Sequence, residues 1–336
     1  MKHKILNKNE LHQFERVCQV KQDNLLKVMG HFLKDKYENV YMTKKFVVAV
    51  GDTPIALVAH LDTVFKQPPQ RIFYDKTYNV LWSPEGLGAD DRAGIFSIVQ
   101  IIKSGFRPTV ILTTDEEKGC KGAEAVVKCL PDPPASLKYI IELDRQGAND
   151  CVFYECDNPA FTEYITSFGF EFNYGSFSDI SEICPKWKVA GVNLSIGYYD
   201  EHSVSETLYV DQMFETIEKV KNMLAAADEA PYFEYIPMTY EANPWGWSPA
   251  YGIPLEEWIK VVSSQIACDL CHQPDYDYNL FPLLGLNGET VHLCVDCMGK
   301  VRNIEWCERC GEGFVYTGEA PSSPILCPNC RGKVNV

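Results

Sequence analysis

The chain predicts an α/β domain on a largely parallel, buried sheet, followed by a small metal-binding tail. Three observations carry that expectation: short apolar runs of the buried-strand type, helical periodicity between them, and four C-x-x-C pairs within residues 268–336. With 336 residues, 46% of them hydrophobic, there is material for a real core. The length suits one large domain and a smaller one, and the texture divides it at 1–228, a proline- and aromatic-rich linker at 229–258, and 259–336.

Taken in order, residues 8–34 space Leu11, Phe14 and Val17, then Leu25, Val28, Met29 and Phe32, as one or two amphipathic helices would. The helical stretch is expected to end near Gly30 or slightly later. VYMT and FVVAV read as a hairpin, PIALVAHLDTV as an apolar strand with a polar end, and RIFYDKTYNVLW as a second hairpin. DRAGIFSIVQIIKS (91–104) reads as a helix closed by Gly105. TVILTT and KYIIEL are buried-strand runs with the helix AEAVVKCL between them. NPAFTEYITSF is helical, VAGVNLSIGYY a strand, and 211–227 a long helix.

The balance of 31 basic against 46 acidic residues gives a formal charge of −15, which repels phosphate backbones and makes nucleic acid an unlikely partner. No stretch approaches 18 uninterrupted apolar residues, so no membrane span is expected. The opening MKHKILNKNELHQF lacks the apolar stretch of a secretory signal, and a soluble, cytoplasmic protein is the expectation.

Eight of the fourteen cysteines form four pairs: Cys268 with Cys271, Cys294 with Cys297, Cys307 with Cys310, and Cys327 with Cys330. Two such turns can complete one tetrahedral Zn²⁺ site, so two structural zinc ions are expected. Sequential pairing would give two zinc ribbons, and interleaved pairing a cross-braced module with the same spacings. Over 260–336, six basic against nine acidic residues disfavour nucleic acid here too, leaving structural support or a protein partner. Cys18, Cys120, Cys129, Cys151, Cys156 and Cys184 are single and read as small buried hydrophobes.

Polar residues gather where the strands are expected to end, which is where open α/β sheets place their sites. His60 and Asp62 share one strand face in AHLDTV, so Asp62 can hold one nitrogen of His60 while the other binds metal. Asp90 and Asp91 open a helix in GLGADDRAG, Glu116 and Glu117 follow TVILTT, Asp144 ends KYIIELD, and His202 follows VNLSIGYYDEH. Any one of these has a bland explanation, such as a helix cap. The ordered set, in a chain with seven histidines, points to a metal centre.

That order, H-x-D, D, E-E, D, H, resembles the co-catalytic zinc peptidases of the aminopeptidase and carboxypeptidase clan over roughly residues 35–225. HLDTV and GADDRAG are similar to the tripeptidase and deacylase branch, and the short layout to single-domain aminopeptidases. The resemblance implies a three-layer, mixed and mostly parallel sheet of the zinc-exopeptidase type. It also implies that Asp90 bridges two Zn²⁺ ions, His60 and Asp144 completing one shell and Glu117 and His202 the other. Glu116 would be general base and acid, with Asp62 orienting His60. Co²⁺ or Mn²⁺ would suit the same donors. Larger members insert a lid between the last two ligands; only residues 145–201 stand there in this chain.

Two candidates for substrate contact remain. Arg145 would take a carboxylate or else pair with local acids, and Asp179 would receive an amine, orient a ligand or else cap the next helix. The expected activity is amide hydrolysis of a peptide, with aminopeptidase-like exopeptidase action first and deacylation of a small acylated amino acid as the rival. An inactive scaffold with a protein-binding zinc tail is the reading from another class, opposed by the presence of all five ligands and Glu116.

Overall fold

Apolar side chains on the central strands alternate between two separate cores, and this alternation sets the architecture. The computed structural model describes residues 4–238 and, beyond them, the backbone of six short strands. In β3 (Thr53–His60), Ile55, Leu57 and Ala59 enter one core while Ala56 and Val58 enter the other. The same period-two split recurs in β2 (Phe46–Val50), β6 (Pro108–Thr113) and β7 (Tyr139–Arg145). Both faces must therefore be covered by helices.

One face packs against α1 (Lys8–Cys18), α2 (Gln22–Lys34), α3 (Ala89–Lys103), α5 (Pro159–Thr166) and α7 (Val210–Ala225). The other packs against α4 (Lys121–Cys129) and α6 (Asp179–Trp187). The sheet is completed by β1 (Asn39–Met42), β8 (Asp150–Val152), β9 (Glu171–Phe172) and β10 (Gly191–Ser195), in the order β1-β2-β6-β3-β7-β10-β8-β9. Its centre, β6-β3-β7-β10, is wholly parallel, and β1, β2 and β8 pair antiparallel around it. This is the three-layer, mixed, mostly parallel sheet expected.

A second, four-stranded antiparallel sheet joins the hairpin β4 (Phe73–Asp75) and β5 (Val80–Trp82) to β11 (Tyr198–Tyr199) and β12 (Thr207–Tyr209). Here VAGVNLSIGYY departs from the single strand expected. It breaks at Gly197, whose φ of +91° suits glycine, and a Cβ there would meet Met213 N and Tyr209 O at 2.9 Å. The helix α2 runs slightly past Gly30, to Lys34, as expected, and Gly30 lets it lie close to Met42, whose Sδ would stand 2.6 Å from a Cβ. Of the six single cysteines, five are buried and Cys129, the last residue of α4, is exposed.

By packing, the chain divides into Met1–Ala242 and Asn243–Val336. After α7 the chain stays on the first unit, where Phe233 is buried against Tyr139, Phe161 and Tyr164, and Val189 bridges Glu234. In the second unit, β13 (Gln265–Ala267) pairs β14 (Pro274–Tyr276). The strands β15 (Leu280–Leu284), β16 (Thr290–Cys294), β17 (Ile304–Trp306) and β18 (Gly313–Val315) form a sheet in the order β16-β15-β18-β17.

The zinc sites expected in this second unit rest on eight paired cysteines. Of these, Cys294 falls at the end of a described strand, by backbone alone. Cys268, Cys271, Cys297, Cys307, Cys310, Cys327 and Cys330 lie outside the described residues. Among the described residues no helix is long and apolar enough to cross a membrane.

Candidate metal centre

The carboxyl ends of the parallel strands converge, as the loops of an open α/β sheet do. His60 is the last residue of β3, Asp144 lies near the end of β7, and Glu116 and Glu117 occupy a single 3₁₀ turn after β6. Asp90 and Asp91, joined by a cis peptide bond, open α3 with non-helical backbone angles. His202 comes from the loop between β11 and β12, on the second sheet.

Asp90 is the hub. Its Oδ1 lies 2.9 Å from His60 Nε2 and its Oδ2 lies 3.1 Å from His202 Nε2. His60 Nε2 is also 3.5 Å from Asp144 Oδ1, and His202 Nε2 is 3.1 Å from Glu117 Oε2. Three groups of donors each have their atoms within 4.8 Å: His60, Asp90 and Asp144; Asp90, Glu117 and His202; and His60, Glu116 and Glu117. The first two share Asp90. Asp91 turns away, its carboxylate accepting from the backbone N–H of His60 and Gly94.

Asp62 joins two elements of the centre. Its Oδ1 stands 3.3 Å from His60 Nδ1, and its carboxylate accepts the backbone N–H of Glu116 and Glu117 at 3.1 and 3.2 Å. Asp144 accepts from Ser178 Oγ and Tyr198 OH, both at 3.2 Å. Cys120 Sγ donates to Glu116 Oε1 at 3.6 Å. Glu206, in the loop that bears His202, accepts the backbone N–H of Gly88, Ala89 and Asp90, which ties the loops bearing His202 and Asp90 together.

Burial raises the pKa of Glu116 and, strongly, of Asp144, and it lifts Glu117 to about 7. Burial also works against ionised Asp90, but hydrogen bonds from His202 and His60 outweigh it and hold the carboxyl low. The hydrogen bond to Asp90 raises His202 from 6.5 to about 9. The field of Asp144 and its neighbours raises His60 despite its burial. Two imidazoles thus counter a larger group of carboxylates, and Glu117 Oε1 is buried without a partner among the described residues. Imidazole and carboxylate donors around a shared aspartate fit two divalent cations of the Zn²⁺, Co²⁺ or Mn²⁺ type.

A cavity of about 330 Å³ opens on the centre, lined by Asp90, Glu116, Glu117, Asp144, Tyr198 and His202, among others. Arg145 is on its wall: one guanidinium nitrogen is 3.7 Å from Asp150 Oδ2, and Nε is buried without a partner. Asp179 is not among the lining residues. It is the first residue of α6, fully buried, accepts from the Thr113 hydroxyl, and burial lifts it to about 7.

Sequence reasoning missed the roles of Glu206, Tyr198, Ser178 and Cys120, which reach the site through the fold. Glu142 was detectable. It is an acid inside the buried run KYIIEL, and both its carboxylate oxygens are buried without a hydrogen-bond partner among the described residues, with burial raising its pKa.

No protein-family model matches the chain, and no curated protein does. Solved structures do. An aminopeptidase PepT from Bacillus cereus is 14% identical with a TM-score of 0.56, covering 67% of this chain and 99% of its own. A tripeptidase from Staphylococcus aureus is 12% identical at 0.52, covering 68% and 100%, and an aminopeptidase from the archaeon Desulfurococcus kamchatkensis 13% at 0.52, covering 66% and 95%. About two-thirds of the chain thus has the fold that these peptidases share, the zinc-exopeptidase fold that the sequence pattern implies.

Proposed function

We propose that the first unit is a dinuclear metal-dependent amide hydrolase, acting as an exopeptidase of the aminopeptidase kind. The observation that carries the reading is Asp90, whose two oxygens serve two different histidines in two overlapping donor groups. His60 and Asp144 would hold one Zn²⁺, Glu117 and His202 the other, and Asp90 both. Ions so held supply Lewis acidity to an amide carbonyl and lower the pKa of water.

The chain's own residues do the rest. Glu116, beside the shared aspartate and raised by burial, takes a proton from water and returns it to the leaving amine. Asp62 fixes the His60 ring and the backbone that presents both glutamates. Tyr198 and Ser178 fix the Asp144 carboxylate. In the tail we place two further zinc ions with a structural role, held by Cys268, Cys271, Cys294, Cys297, Cys307, Cys310, Cys327 and Cys330.

The names of the structural neighbours favour peptides as substrates. Arg145 favours a second reading, a small acylated amino acid, because a guanidinium on the cavity wall suits a substrate carboxylate. A mass-spectrometric digest of peptides with free and blocked ends, run with wild type and Glu116→Gln, decides between them. Single residues lost from free N-termini, and only with wild type, support the aminopeptidase. Cleavage of N-acylated amino acids alone supports the second reading. No turnover of either by the metal-loaded chain overturns both.

A further inference from the structure

A second cavity, of about 400 Å³ and large enough for a small ligand, has Asp62 in its wall. Its lining contrasts with the chain as a whole. Arg92, Lys21, Lys66 and Lys118 face it against the carboxylates of Asp23 and Asp62, in a protein with fifteen more acidic than basic residues.

Arg92 is the unusual member. It is 3% exposed, yet no acid stands within ion-pair distance of it among the described residues. Its Nη1 donates to Val17 O at 2.7 Å, and its Nε is buried without a hydrogen-bond partner among the described residues. A guanidinium cannot shed its proton, so burying it without an ion pair is costly. The fields of Asp62 and Asp91 reach Arg92, but Asp91 is engaged by the N–H groups of His60 and Gly94 and makes no ion pair with it. The nearest carboxylate on the cavity wall, Asp62, is already engaged by His60 and by the N–H groups of Glu116 and Glu117.

Two independent features add to this. The first residues of α2, Gln22 and Asp23, line the same cavity, and Lys21 before them provides no side-chain cap. The start of this 13-residue helix therefore offers open N–H groups and the positive end of its dipole. Lys21 and Lys66 have no ion-pair partner among the described residues, whereas Lys118 shares Asp115 at 2.7 Å.

We propose that this cavity binds a small oxyanion, a carboxylate or a phosphate, with Arg92 as its buried anchor and the lysines and the α2 start around it. The site stands apart from the reaction assigned to the metal centre and does not depend on it. Asp62 lines this cavity and also holds His60 and the Glu116–Glu117 backbone, so an anion here acts next to the support of the first site.

Calorimetric titration of the full chain with inorganic phosphate, N-acetylglycine and N-acetylglycinamide tests it, with His202→Ala as the control for anions binding at metal. We expect phosphate or N-acetylglycine to bind at millimolar concentration or below. Binding should survive His202→Ala and weaken roughly tenfold in the double variant Lys21→Glu with Lys66→Glu, two exposed positions, with circular dichroism to check that the fold is kept. Phosphate alone would mark a phosphate site, and competition between phosphate and N-acetylglycine, with the amide silent, a carboxylate-reading site. No binding of either anion overturns the proposal. So does binding that is lost in His202→Ala and untouched by the lysine changes, which would place the anion at the metal centre.

Discussion

Around the candidate metal centre the chain buries carboxylates against two imidazoles; in the cavity that Asp62 lines it sets an arginine without an ion pair among the described residues and three lysines. Both regions are built from loops at the same end of the sheet, and both leave a buried polar atom without a partner, Glu117 Oε1 in one and Arg92 Nε in the other. The net charge of −15 describes neither. Local field is set by which side chains a loop turns inward, and an unbalanced buried charge marks where a partner of opposite sign is wanted.

The largest effect is expected where one residue serves both halves of the metal centre. Asp90→Asn removes the shared carboxylate. It should abolish hydrolysis and reduce the metal content of the full chain from about four ions to about two, measured by inductively coupled plasma mass spectrometry. Retention of all the metal would mean that the two donor groups do not act as one dinuclear site. Glu116→Gln should instead keep the metal and lower kcat by about 10²–10⁴-fold, which steady-state kinetics would show.

Asp62→Asn touches both regions and should move them in opposite directions. At the metal centre it loosens His60 and the two glutamates, costing about 10–100-fold in metal affinity or activity. In the cationic cavity it deletes one of two acids, so phosphate should bind more tightly there. Metal competition and phosphate calorimetry on one preparation would test the pair of signs.

The acidic region has a pH signature of its own. In the metal-free chain the hydrogen bond to Asp90 raises His202 from 6.5 to about 9. Its contribution to stability is complete below 6.5 and is lost as pH climbs through about 9. Cation binding has the reverse slope, since the ring must first lose its proton, so metal affinity should climb with pH and level off above about 9. Thermal melts and chelator competition across this range would measure both slopes, and a metal affinity independent of pH would remove His202 from the ligand set.

The sheet and the residues gathered at its strand ends were legible because local signals agree. Continuous apolar runs mark parallel strands buried on both faces, and each run ends in His60, the Glu116–Glu117 pair or Asp144. The break at Gly197 was not legible, because one residue's positive φ diverts an unbroken apolar run into a second sheet. Nor was the Glu206 cap, which depends on a loop brought to Gly88–Asp90 from more than a hundred residues away. The cationic cavity was hidden for the same reason: Lys21, Lys66, Arg92 and Lys118 are scattered along the chain and share no motif.

Cys120 gives the smallest expected effect and the finest probe of the acidic side. Its buried thiol is kept protonated and so remains a donor to Glu116 Oε1 at 3.6 Å. That bond favours the ionised glutamate, in opposition to the burial that raises its pKa. Cys120→Ala should therefore move the acidic limb of the kcat/KM profile to higher pH while the metal content stays fixed. Cys120→Ser, which restores a stronger donor, should move it back. A limb that stays in place in both variants would show that the thiol only fills space, and that another group sets the protonation of Glu116.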